Sequence, residues 1–182
     1  MTLPPLAVCC LLTLLVLTAA VFDLRSHRIP NWLTLSGLVL ALALNAFLFE
    51  LAGLWFSLKG LGLAFGIYFV LYLLRGMGAG DVKLMAAIGA AAGPWNWLGI
   101  LFLTAILGGV AAIVLALAKQ RVRKTFRNMA LMLLSLRYGR APYRDNPEID
   151  VGSDQSLRLP HGVVIAVGTL AFIGSALIWA PR

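Results

Sequence analysis

Apolar residues run along this chain in long blocks, separated by short clusters of charge. The blocks cover roughly residues 5–22, 32–49, 55–74, 82–118 and 162–179. A bilayer crossing needs about 20 apolar residues, so most blocks suit one crossing each and the fourth is too long for one. That block contains Gly93-Pro94-Trp95-Asn96-Trp97, a helix breaker bracketed by aromatics of the kind found at membrane interfaces. It therefore divides into a short span over 82–92, rich in Ala and Gly, and a second span ending near residue 118. The pattern predicts an all-α, polytopic membrane protein: six transmembrane helices in one domain over 1–182, with no internal repeat.

Composition supports the membrane reading. Hydrophobic residues make up 61% of the 182 positions and charged residues 12%, against about a quarter in a soluble domain. A soluble helical bundle has no use for that much apolar surface or for runs this long. The first block lacks the basic start of a signal peptide, having Pro4 and Pro5 near Met1, and its basic residues follow it. It reads as a retained span. Cys9 and Cys10 are the chain's two cysteines. Neighbours on a helix point about 100° apart, so they do not pair with each other. With no CxxC there is no cysteine zinc site, and neither metal nor cofactor is expected.

The net charge of +8 raises nucleic acid as a partner, but its placement argues against one. Thirteen of the fifteen Lys and Arg residues fall in alternate gaps between the apolar runs, leaving Lys59 and Arg182 on the other side. Lysine at 59 is close enough to a span end to snorkel. By the positive-inside rule the basic gaps are cytoplasmic and both termini lie outside. The longest gap, 119–158, carries a basic amphipathic stretch around the apolar run 129–136 and then a polar loop. Such a segment lies on anionic lipid at the cytoplasmic face.

Two clusters are candidates for chemistry. In Phe22-Asp23-Leu24-Arg25-Ser26-His27-Arg28-Ile29-Pro30-Asn31 the carboxylate closes span one, and Pro30-Asn31 opens span two. Alone, Asp23 reads as an interfacial charge paired with Arg25 or Arg28, and His27 as a solvated loop residue. In Gly76-Met77-Gly78-Ala79-Gly80-Asp81-Val82-Lys83-Leu84 the glycines allow positive φ and close approach of another chain. Alone, Asp81 reads as a helix cap, and no GK[ST] follows to make a phosphate loop.

Together the clusters say more. Of seven carboxylates, four lie in the 145–154 loop and Glu50 is at the outer face, leaving Asp23 and Asp81 at one inner boundary. Two carboxyls at one depth can share a proton, one activating water while the other acts as the acid toward a carbonyl. They would titrate jointly. For them to meet, spans one and four must pack together.

Asp23 with Arg28-Ile29-Pro30-Asn31, and Gly78-Ala79-Gly80-Asp81-Val82-Lys83-Leu84, resemble the two signature segments of the type IV prepilin peptidases, intramembrane aspartic proteases of the GxGD type. Leu159-Pro160-His161-Gly162 and the apolar residues after it resemble that family's entry to its last span. The resemblance implies removal of the basic leader from prepilins or pseudopilins at the cytoplasmic face of the bacterial inner membrane. It implies Asp23 and Asp81 as the catalytic pair, Gly78 and Gly80 as residues shaping the site, and supporting roles for Lys83 and Asn31.

Longer members of the family carry a cytoplasmic domain with paired cysteines between their first two spans, and they also methylate the new N-terminus. Here about nine residues join those spans and no CxxC exists. The chain resembles the short, peptidase-only form of tight-adherence (Flp-type) pilus systems, without methyltransferase activity. Two other readings stand beside this one. A proton-coupled transporter using Asp23 and Asp81 as a relay predicts acids near the bilayer midplane rather than at its boundary. A non-catalytic secretion-assembly subunit has no use for two retained aspartates.

Overall fold

The computed structural model describes residues 4–74, 77–120, 127 and 160–179. Among the described residues there are four long helices: α1 (Leu6–Ser26), α2 (Asn31–Leu73), α3 (Ala79–Ala118) and α4 (His161–Trp179). All four are long and apolar enough to cross a membrane. The basic stretch expected over 119–158 lies, apart from residues 119, 120 and 127, outside the described residues.

Two of these helices exceed any bilayer. A straight helix of 43 residues, the length of α2, would be about 65 Å long, twice the hydrocarbon thickness of about 30 Å. Each is broken once. In α2 the break is at Phe49 (φ −134°, ψ 15°) and Glu50 (φ 54°, ψ −140°). In α3 it is at Gly93 (φ 75°, ψ 173°), with Pro94 next. Positive φ suits a residue without a Cβ, and proline supplies no N–H to continue the ladder. The expected loop over 50–54 is therefore only two residues wide, since helix resumes at Leu51.

A single buried side chain shows that α2 doubles back. Asn45 and Ser57 are twelve positions apart, about 18 Å along a straight helix, yet Asn45 Nδ2 donates to Ser57 Oγ over 2.8 Å. The same amide reaches Ala90 O at 3.1 Å and Ala91 O at 3.2 Å. Those carbonyls end the first arm of α3. Their usual donors four residues on are lost, one because Pro94 has no N–H and the other because the chain turns at Gly93. Asn45 stands in for them. Replacing it with Leu leaves buried carbonyls unpaired, at a cost of about 1–3 kcal/mol. Thermal unfolding in detergent is expected to shift down accordingly, and an unchanged midpoint would contradict this role.

The first arm of α3 is the centre of the bundle, with residues 84–93 buried without interruption. Its small residues let the second arm of α2 come into backbone contact. A Cβ on Gly60 would collide with the carbonyl of Gly89, and one on Gly89 would stand 2.6 Å from Ala64 Cβ. Gly60 and Ala64 face Gly89 and Gly93, a small-xxx-small pair on each helix. At Gly93 the ring of Phe56 fills the place of the missing side chain.

One aromatic is not where the sequence pattern puts it. Trp95 is 79% exposed, as an interfacial residue should be, whereas Trp97 is fully buried. Its ring meets Tyr68 edge to face, 6.1 Å between centroids. The chain after the turn at Gly93 carries Trp97 into the core, where its ring packs against Tyr68.

Candidate active site

The site is assembled at one end of the bundle, from the end of α1 and the starts of α2, α3 and α4. α1 runs a turn past the expected end of its apolar block, and Asp23 sits in the last helical turn, at the end of span one as expected. The helix stops at His27, whose left-handed backbone (φ 50°, ψ 31°) returns its N–H to Asp23 O. Ser26 Oγ donates to Phe22 O at 2.8 Å and lies 3.2 Å from Arg28 O, so its single proton is shared between the two carbonyls. Across this tight connection Phe22 packs edge to face on Trp32, with centroids 6.0 Å apart. These contacts hold the end of α1 against the start of α2.

Asp23 is a buried carboxylate, 7% exposed. Its Oδ2 accepts a hydrogen bond from the N–H of Gly162 at 2.7 Å. Neither Arg25 nor Arg28 is its partner here; both are exposed. The reading of Asp23 as a solvated interfacial charge is thereby corrected.

Asp81 is the third residue of α3. Gly78 is the N-cap, and its N–H donates to Asp81 Oδ2 at 3.3 Å, the reciprocal half of a capping box. Neither Gly78 nor Gly80 has positive φ, and at Gly80 it is small size that matters. Gly78 is extended (φ −79°, ψ 151°), a conformation open to any residue, and Gly80 is helical. A Cβ on Gly80 would stand 3.2 Å from Ile29 Cβ. The bare backbone lets the α3 start settle on the α1–α2 connection.

Asp81 interacts electrostatically with Asp23, with His161 and with the buried Tyr68. The two carboxyl groups, 58 positions apart in sequence, share one neighbourhood. α1 and α3 do touch, as required, and α4 packs against both. Lys83 Nζ donates to Asn31 Oδ1 at 2.8 Å, so two further motif residues meet at the exposed rim and tie the start of α3 to the start of α2. Of the predicted residues, then, Asp23, Asp81, Gly78, Gly80, Lys83 and Asn31 all lie at this end of the bundle. His161 and Gly162 also belong there. Their signal in the sequence is the Leu159-Pro160-His161-Gly162 segment, which resembles the family's entry to its last span but is given no role at the site by the sequence alone.

Residues 10–113, more than half of the chain, match the type IV leader peptidase family. The chain belongs to this family. It is an integral membrane protein whose family-matched region contains both aspartates and both motif segments. It is also similar to the prepilin leader peptidase/N-methyltransferase of Escherichia coli (strain K12), with 38% identity over 118 residues. That match covers 60% of this chain and 52% of the relative, so the chain spans about half the length of the curated relative it matches. No solved structure matches the chain.

Proposed function

We propose that this family member is an aspartic endopeptidase that removes the basic leader from prepilins or pseudopilins at the cytoplasmic face of the bacterial inner membrane. The observation that carries the reading is the placement of Asp23 and Asp81, brought by different helices to one end of an apolar bundle and within electrostatic range of each other. A pair of carboxyls sharing one proton supplies both catalytic functions. The ionised member takes a proton from water, whose oxygen attacks the scissile carbonyl. The protonated member gives its proton to the carbonyl oxygen. When the tetrahedral intermediate collapses, one of its hydroxyls returns a proton to the second carboxylate as the C=O re-forms. The C–N bond breaks, and the proton taken from water passes to the leaving nitrogen, which becomes the new amino terminus.

In this reading the breaks at 49–50 and at Gly93 divide α2 and α3 into two crossings each, making six in all. The basic gaps and the site face the cytoplasm, and both termini lie outside. The apolar helix of the substrate stays in the bilayer while its leader approaches Asp81 past Gly78, where the missing side chain leaves room for an extended backbone. The connection between α1 and α2 spans only residues 27–30, which supports a peptidase without the methyl-transfer step named for the longer relative. The short form used in tight-adherence pilus systems fits that length.

The test is biochemical. The full chain in liposomes is incubated with a prepilin and a methyl donor, and the product is weighed by intact mass spectrometry. Loss of the leader mass without an added methyl group is expected. An uncut prepilin would remove the proposal, and a methylated product would remove its peptidase-only part.

A further inference from the structure

Asp23 occupies an unfavourable place on its own helix. It lies in the last turn of α1, where unpaired carbonyls disfavour negative charge. The first turn of α4 answers this with the opposite kind of terminus, whose N–H groups lack partners within the helix. The N–H groups of Val163 and Val164 turn back to Pro160 O at 3.1 and 3.3 Å. That of Gly162 goes to Asp23 Oδ2 at 2.7 Å instead, a length typical of charge-assisted bonds. The corresponding bond to Asp81 is longer, at 3.3 Å.

The approach of α4 leaves no spare room. A Cβ on Gly162 would stand 2.9 Å from Asp23 Cβ, 3.0 Å from Oδ2 and 3.1 Å from Cγ. Any side chain there must push the α4 start or the carboxyl group aside. The preceding residue, His161, interacts with Asp81. One helix start thus reaches both carboxyl groups, from a segment beyond the family-matched residues 10–113.

We propose that Gly162 is a positioning residue for the aspartate pair: its N–H fixes the Asp23 carboxyl group, and its missing side chain admits α4 to do so. The inference rests on the aspartic-protease reading above. Tying one oxygen to the backbone of α4 removes the freedom of the carboxyl to rotate. Placement matters to such chemistry, since an error of about 1 Å can cost about 10²-fold in rate.

Gly174 supplies the control, because a Cβ there, on the same helix, meets nothing within 4 Å. Gly162→Ala is expected to lower kcat for leader removal about 10–100-fold per mole of folded enzyme, with KM within about twofold. Gly174→Ala keeps the wild-type kcat. A merely structural role would reduce the yield of folded protein and leave kcat per folded enzyme unchanged. A second measurement needs no Gly162 variant: amide hydrogen exchange at Gly162 is expected to quicken about tenfold or more in Asp23→Ala, as the acceptor is lost. Equal kcat for Gly162→Ala and Gly174→Ala, or unchanged exchange at Gly162, overturns the positioning role. If Asp23→Asn and Asp81→Asn are inactive in the same assay, the dyad survives that failure. If either Asn variant cleaves at the normal rate, the dyad falls and the positioning role falls with it.

Discussion

Asp23→Asn and Asp81→Asn are each expected to reduce leader removal by about 10³-fold or more, while both variants insert and fold as the wild type does. The size follows from what is deleted. General acid–base assistance is worth about 10²–10⁴-fold for a single group, and in a shared-proton pair neither member works without the other. Asn retains the shape of Asp and one carbonyl oxygen. In Asp23→Asn that oxygen can still accept the N–H of Gly162, and in Asp81→Asn it can still accept the N–H of Gly78. What Asn lacks is a carboxyl proton to give and a carboxylate to receive one. The double variant should be no worse than either single one, because groups that act as a unit are not additive. The measurement is the rate of prepilin cleavage per mole of folded enzyme. A single Asn variant that cleaves normally contradicts the dyad. A relay for protons would show another pattern: proton flux into liposomes, abolished by either substitution, in the absence of any prepilin.

Much of the architecture was legible because its causes are local. Gly93-Pro94 breaks α3 through properties of those two residues alone, and the end of span two is signalled by Glu50, a charge in an apolar run. Carboxylates are scarce enough in this chain that Asp23 and Asp81 stand out, and the GxGD and RIPN segments mark them further. What escaped the sequence reading depends on partners. The bond from Gly162 to Asp23 joins residues 139 positions apart, and nothing around Gly162 announces which carboxylate its N–H meets. Trp97 carries the composition of an interfacial residue, but the chain after Gly93 carries it to Tyr68. The glycines before Asp81 suggested left-handed backbone, whereas Gly80 is helical and is selected by the nearness of Ile29. In each of these three cases the residue type was noticed and its neighbour was not.

The second large effect concerns the crossing on which the site depends. Gly60→Leu or Gly89→Leu is expected to remove most folded protein from the membrane fraction, and with it all leader removal. A side chain at Gly60 meets the carbonyl of Gly89, and one at Gly89 stands 2.5 Å from the carbonyl of Gly60. Backbone, unlike a flexible side-chain end, cannot rotate away, so the helices themselves must separate. Overpacking in a tight core costs about 1–3 kcal/mol and occasionally more, and the higher end is expected where two backbones touch. Separation also withdraws the α3 arm from Asn45, whose amide caps Ala90 and Ala91. Because that arm carries Asp81 at its other end, even a variant that survives should place the carboxyl wrongly. Gly66→Leu is the matched control, since a Cβ there meets nothing within 4 Å. It lengthens a side chain on the same arm of α2 without touching the crossing. Thermal unfolding and size-exclusion profiles in detergent distinguish the two. Near-wild-type behaviour of Gly60→Leu would show that the arms of α2 and α3 are not held together by this backbone contact. The site would then have to be braced by α4, by the Lys83–Asn31 bond and by the seat of Gly80 on Ile29.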